Sequence, residues 1–124
     1  MRSLWLVAVG GALGAVARAV LSTAIRSRWP STLPSGTIVV NLAGCLILGL
    51  LMGFLESRPH LPPTWRAFGA VGVLGAFTTF STFEYETLGL LQQGEVPAAL
   101  ANVGLSVILG LAAVYLGHQC GRLA

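Results

Sequence analysis

The 124-residue chain contains no aspartate and no lysine, and its charged residues amount to 9%. All seven basic residues are arginine, and the acidic side is four glutamates. Two histidines, His60 and His118, are the whole imidazole supply, and neither neighbours a hydroxyl or thiol with an orienting carboxylate in evident reach. Acid–base and nucleophilic catalysis need such partnered groups, so an enzyme is the weakest class for this chain. Cysteine is almost absent too. Cys45 lies inside an apolar run and Cys120 near the C-terminus, a pattern of small hydrophobes rather than a disulfide framework or a metal site. The net charge of +3 is spread along the chain and forms no basic patch of the kind that binds nucleic acid.

What the chain has instead is hydrocarbon: 55% hydrophobic residues and a mean hydropathy of +0.81, the composition of a membrane protein. A helix rising about 1.5 Å per residue crosses roughly 30 Å of bilayer core in about 20 residues. Four runs reach that length and predict a single four-helix transmembrane domain over residues 1–124. They are Leu4 to Ile25, Gly36 to Leu55, Thr64 to Leu91, and Pro97 to about His118. The first is too long for a secretory signal and contains Arg18. Between the first two, Pro30 and Pro34 break helix and Ser35 is placed to cap the next one. The linker "ESRPHLPP" ends the second run, and Pro97 suits an early position in the fourth.

The third run exceeds the membrane. Its length corresponds to roughly 40 Å of straight helix, so it tilts, protrudes or breaks. Gly69, Gly72 and Gly75 lead into "GAFTTFSTFEYE", where hydroxyls stand ready to bond freed backbone groups, and a break is expected between residues 75 and 81. Irregular backbone at membrane depth persists only where protein or a water-filled cavity covers it, so a break marks a functional centre.

With four spans, Arg2, Arg58, Arg66 and Arg122 fall on one side, against Arg26 and Arg28, or three if Arg18 reaches that interface. So small a bias fits either an ordinary single orientation or insertion both ways with pairing to an inverted copy. Glycines four apart, Gly10 with Gly14 and Gly49 with Gly53, allow close helix approach, and Gly104, Gly110 and Gly117 thin the fourth helix. Four short spans enclose little alone, which points to a homo-oligomer.

Polar groups inside hydrocarbon cost a few kcal/mol each and call for a reason. Asn41 shares a helix face with Thr37 one turn before it, and its amide donates two hydrogen bonds without a charge. Interhelical adhesion is the plain alternative. Asn102 and Ser106 form a second polar stripe. Arg18 is close enough to the end of its span to snorkel as an anchor, and equally able to attract anions. Glu84 and Glu86 follow the hydroxyl cluster, and a water-facing position suits Glu84. Phe80 and Phe83, three apart, make a packing pair on one helix face. They also offer positive ring edges, which with hydroxyl and amide hydrogens can hold a small anion loosely enough to release it. Carbonyls freed at a break offer the converse service to a cation.

Three segments in order, "GGALGAVAR" at residues 10–18, "GTIVVNLAGCLILG" at 36–49 and "GAFTTFSTFEYE" at 75–86, resemble the hallmark segments of the Fluc (CrcB) fluoride channels. The resemblance covers essentially the whole chain, most weakly the fourth span and the loops. It implies passive fluoride efflux that relieves fluoride toxicity across the cell inner (plasma) membrane, by a multi-pass, all-α, antiparallel dual-topology homodimer with two pores. It also implies a structural sodium ion at the dimer centre, held by the backbone carbonyls of Gly75 and Thr78 from both subunits. By the same resemblance, Phe80 and Phe83 are the pore phenylalanines and Asn41 the pore asparagine. Arg18 lies near a vestibule, Thr82 and Ser106 supply hydroxyls, Thr37 flanks Asn41, and Glu86 matches the family glutamate. The chain departs from many relatives at Asn102, where they carry tyrosine, and at Gly110, where some have a hydroxyl. The competing function is a dual-topology, proton-coupled exporter of small cations, which requires a carboxylate deep within a span. The first, second and fourth runs hold none at depth.

Overall fold

A computed structural model describes residues 3–124, so the expectation for Arg2 lies outside the described residues. The described chain is entirely helical apart from its turns: α1 (Leu4–Arg28), α2 (Ser35–Glu56), α3 (residues 66–77), α4 (Phe80–Gln92) and α5 (Val96–Leu123). Three of these, α1, α2 and α5, are long and apolar enough to cross a membrane. The third pass is divided into α3 and α4, each reaching only roughly 20 Å along its axis.

The turns follow local chemistry. α1 ends on two arginines in its last turn, Arg26 and Arg28, which suit the negative end of the helix dipole. Ser35 does not cap α2. The preceding residue Pro34 takes the cap position, and the Ser35 hydroxyl donates to the Trp29 carbonyl at 3.2 Å, closing the loop on itself. After α4, Gly94 adopts φ +76°, the one left-handed residue among those described. Its N–H bonds the Leu91 carbonyl at 3.1 Å and that of Glu95 bonds Leu90 at 2.9 Å, the two closing bonds of a Schellman cap. At the opposite end of the subunit, Arg58 donates to the Ala124 carbonyl at 2.7 Å and stacks over Phe54 at 4.0 Å. His118 Nε2 and Glu56 Oε2, 2.8 Å apart, join the ends of α5 and α2.

Backbone-to-backbone packing holds the frame. On α2, Gly49 and Gly53 lie against the carbonyls of Val114 and His118. On α5, Gly117 and Gly121 lie against those of Leu46 and Leu50. A methyl group at any of the four would overlap a carbonyl of the facing helix. Gly10 and Gly14 bring α1 onto α3 in the same way, against the carbonyls of Phe68 and Val73. The glycine spacing on α1 and α2 is therefore used as expected. Gly104 is not: nothing stands within 4 Å of a side chain built there, and Gly110 has only ordinary contact with Cys45 and Leu42. Two stretches are wound in the wider π form, Arg66–Leu74 in α3 and Leu105–Leu109 in α5. Such widening inside helices often accompanies functional positions, and the second one carries Ser106.

Candidate functional site

The interruption of the third pass is two residues long. Gly75 is still helical, while Thr78 (φ −80°, ψ 157°) and Thr79 (φ −149°, ψ 117°) are extended. A break strips the end of one helix of donors and the start of the next of acceptors, and hydrocarbon supplies neither. Side chains replace them. The Asn41 carboxamide on α2 lies alongside the Thr79 peptide: its Nδ2 donates to the Thr79 carbonyl at 3.0 Å, and its Oδ1 accepts from the Thr79 N–H at 2.8 Å. Thr79 in turn caps α4, its Oγ1 accepting from the Thr82 N–H at 3.3 Å and its hydroxyl donating to Thr82 Oγ1 at 3.0 Å. Thr78 N–H and Oγ1 both donate to the Leu74 carbonyl. Asn41 thus does for the extended segment what a neighbouring strand does in a sheet. One amide N–H of Asn41 stays uncommitted, since its Nδ2 carries two donors and the clamp uses one.

Two cavities flank this clamp. The first, about 250 Å³, is lined by Asn41, Cys45, Thr78, Thr79, Phe80, Phe83 and Ser106, with Leu48 and Val107. No lining residue bears a charge. The rings of Phe80 and Phe83 lie 5.8 Å apart at 44°. Phe83 is buried (5% exposed), while Phe80 is 74% exposed on the subunit surface. Ser106 Oγ is buried and meets no partner among the described residues. An orphan hydroxyl and a spare amide N–H facing one small chamber are donors held ready for an acceptor that the subunit does not provide.

The second cavity, about 240 Å³, is polar and charged, lined by Arg18, Ser22, Arg26, Thr37, Thr79, Thr82 and Glu86 among others. The Thr37 hydroxyl donates to Glu86 Oε1 at 2.9 Å, and Glu86 Oε2 is buried without a partner among the described residues. Among the described residues, neither Arg18 nor Arg26 pairs with this carboxylate. Beyond it opens a basin of about 920 Å³ formed by Arg26, residues 29–35, the far end of α4 and the turn after it, including Tyr85, Glu86, Gln93 and Glu95.

The eight expected pore residues therefore divide evenly. Asn41, Phe80, Phe83 and Ser106 surround the uncharged cavity; Arg18, Thr37, Thr82 and Glu86 surround the charged one. Glu84, by contrast, is exposed. Thr79 lines both cavities and is the joint between them, a role the composition of the hydroxyl cluster did not single out. Its signal is local: a threonine three residues before Thr82 at a helix start is an N-cap pattern. Asn102, 1% exposed, is not in either cavity. Its Nδ2 donates to Thr87 Oγ1 at 2.9 Å, and the Thr87 hydroxyl donates to the Phe83 carbonyl at 2.7 Å, so it fastens α5 to α4 behind the phenylalanine.

Gly75 and Thr78 suit a cation in one respect. A continuing helix would give the Gly75 carbonyl the Thr79 N–H, which goes to Asn41 instead, and Gly75 is exposed on the subunit surface. Two carbonyls alone fall short of a hard cation's oxygen shell.

Comparison with known proteins gives a consistent match. The family model described as "CrcB-like protein, Camphor Resistance (CrcB)" matches residues 5–118. A protein of Magnetococcus marinus named "Fluoride-specific ion channel FluC" is 49% identical over 123 residues, covering 99% of each chain. One of Acidobacterium capsulatum with the same name is 45% identical over 122 residues, 98% of this chain and 97% of the relative. A third, "Fluoride-specific ion channel FluC 2" of Symbiobacterium thermophilum, is 48% identical over 113 residues, 91% of this chain and 92% of its own.

Proposed function

Because the chain belongs to the CrcB family, a family of ion channels rather than enzymes, we propose that it conducts fluoride passively across a membrane. The observation that carries this reading is the uncharged cavity where Asn41, Phe80, Phe83 and Ser106 meet. A multi-pass protein of this family with such a chamber has the parts an anion path needs and lacks the firm charge that would trap the ion.

The steps follow from the side chains. Fluoride arrives hydrated in the basin, enters the charged cavity past Arg18, and exchanges water for the hydroxyl of Thr82, whose hydrogen is uncommitted, while the Thr37 hydroxyl stays on Glu86. At the Asn41–Thr79 clamp the spare amide N–H of Asn41 receives it. In the uncharged cavity the Ser106 hydroxyl and the positive ring edges of Phe80 and Phe83 replace further water. Neutral dipoles bind weakly enough for the ion to leave, which conduction requires. Chloride is larger and holds its negative charge more diffusely, so it gains less from the same short donors.

The exposure of Phe80 at membrane depth supports a partner that covers it. We assign that partner to a second, inverted copy of the chain, giving an antiparallel homodimer with two pores. Gly75 and Thr78 carbonyls from both copies are the residues that would hold a sodium ion at the dimer centre, where its charge would stabilise the two breaks. The location we assign is the cell inner membrane, and the role is relief of fluoride toxicity. Purified protein in liposomes tests the reading: fluoride leaves on adding a potassium ionophore and chloride does not. Equal leakage of both ions, or of neither, overturns it.

A further inference from the structure

Arg26 stands apart from the other arginines. Its place is the seam between the outer basin and the charged cavity, and Arg26 and Glu86 are the two residues that line both. Its stem is positioned by packing. Gly36, the second residue of α2, is buried, and a side chain there would run into the Ser22 carbonyl and come within 3.1 Å of Arg26 Cγ; the glycine lets the start of α2 close onto α1 with the arginine's stem alongside. Its guanidinium enters no hydrogen bond or ion pair with another described side chain, whereas Arg58 is spent on Ala124 and Phe54. The remaining charged lining of the basin is negative, Glu86 and Glu95. A basin with two carboxylates and no cation would repel anions from its own mouth.

We propose that Arg26 is the residue that admits anions: set beside Gly36 at the seam, it offsets part of the carboxylate field of the basin and keeps local fluoride concentration ahead of the selective cavity higher than the two carboxylates alone would allow. This rests on the fluoride-channel reading and adds to it a residue that governs rate, not selectivity. The physical signature is salt dependence. A field acting across an open, water-filled basin reaches about 30 Å at 0.01 M ionic strength and about 3 Å at 1 M. Electrostatic steering of this type changes arrival rates by about tenfold or more at low salt and fades when screened.

The test compares wild type with Arg26→Gln, which keeps the Cγ that packs beside Gly36, and with Arg26→Lys, which restores the charge. Fluoride efflux from liposomes is measured at about 0.01 M and about 1 M ionic strength, set with an impermeant electrolyte. The expected result is about a three- to tenfold lower rate for Arg26→Gln at low salt, shrinking to less than about twofold at high salt. Arg26→Lys recovers most of the wild-type rate, and fluoride over chloride selectivity is unchanged in both. A deficit that is equal at the two salts, that Lys does not repair, or that comes with lost selectivity overturns the proposal. If wild type conducts fluoride and Arg26→Gln equals it at low salt, this inference alone falls. If wild type carries no fluoride at all, the fluoride reading falls and this inference goes with it.

Discussion

Along the α2–α5 seam, Gly49, Gly53, Gly117 and Gly121 press backbone onto backbone, while a few residues away the Thr78–Thr79 break is held off its neighbours by side chains. The first contact leaves no room and uses no polar side chain except at its end, where Glu56 and His118 meet. The second leaves two cavities and relies on Asn41, Thr79 and Thr82 to satisfy what the helix gave up. In a bilayer, helices gain nothing from burying oily surface against each other and associate through close packing and hydrogen bonds. The subunit separates the two. Close packing fixes the frame, and hydrogen bonding is concentrated where the backbone is irregular and the two cavities open.

The sharpest way to break this comparison is to put bulk into the tight seam. Gly117→Leu would drive a side chain into the Leu46 carbonyl, and no flexible side-chain end is there to yield. Overpacking costs about 1 to 3 kcal/mol in ordinary cores and more when backbone is the obstacle. The expected outcome is loss of monodisperse protein on size exclusion in detergent. Normal recovery would show that the seam is softer than its geometry. The opposite manipulation belongs to the break. Asn41→Leu keeps roughly the same volume but leaves the Thr79 N–H and carbonyl unpaired, at about 1 to 3 kcal/mol for each orphan group. The protein should still be recovered, with fluoride flux down by about tenfold or more, because the segment that shapes both cavities loses its clamp. Recovery with full flux would mean that Asn41 is only adhesive.

How much of this could be read from residues alone divides along the same line. Helix packing by small residues is periodic, so the pairs Gly10 with Gly14 and Gly49 with Gly53 were visible as spacing. Gly121 escaped because it lies beyond the expected end of the fourth span, which runs to Leu123. The break announced itself through an overlong run and a hydroxyl cluster. Thr78 and Thr79 are identical neighbours; the spacing to Thr82 marks Thr79 as a cap, but its clamp to Asn41 is a tertiary contact. The two cavities were not legible at all, since they depend on how α1, α2, α4 and α5 come together. The pairing of Thr37 with Glu86 is of that kind, spanning 49 residues of sequence.

That pairing offers a milder test on the open side. Thr37→Val preserves shape but removes the hydroxyl that donates to Glu86 Oε1, leaving both carboxylate oxygens without a protein partner. A hydrogen bond to a charged group contributes about 1.5 to 3 kcal/mol, but water in this cavity can take over part of it. Flux should fall by only about two- to fivefold, with yield unchanged. A loss as large as that of Asn41→Leu would relocate the critical contact from the uncharged cavity to the charged one.

The smallest effect is expected where the two regions look alike in sequence and differ in space. Gly104 sits on α5 as Gly117 does, in the same helix and with the same residue type, yet one faces open space and the other a carbonyl. Gly104→Ala should leave yield and flux unchanged, and if anything stabilise the helix by up to about 1 kcal/mol, since alanine is the better helix former. Gly117→Ala should already impair recovery, because even one methyl group overlaps Leu46. Thermal unfolding in detergent, followed by light scattering, would read both. If the two alanine variants behave alike, glycine in α5 serves helix flexibility rather than contact, and the division between a tight frame and an open path fails at its simplest point.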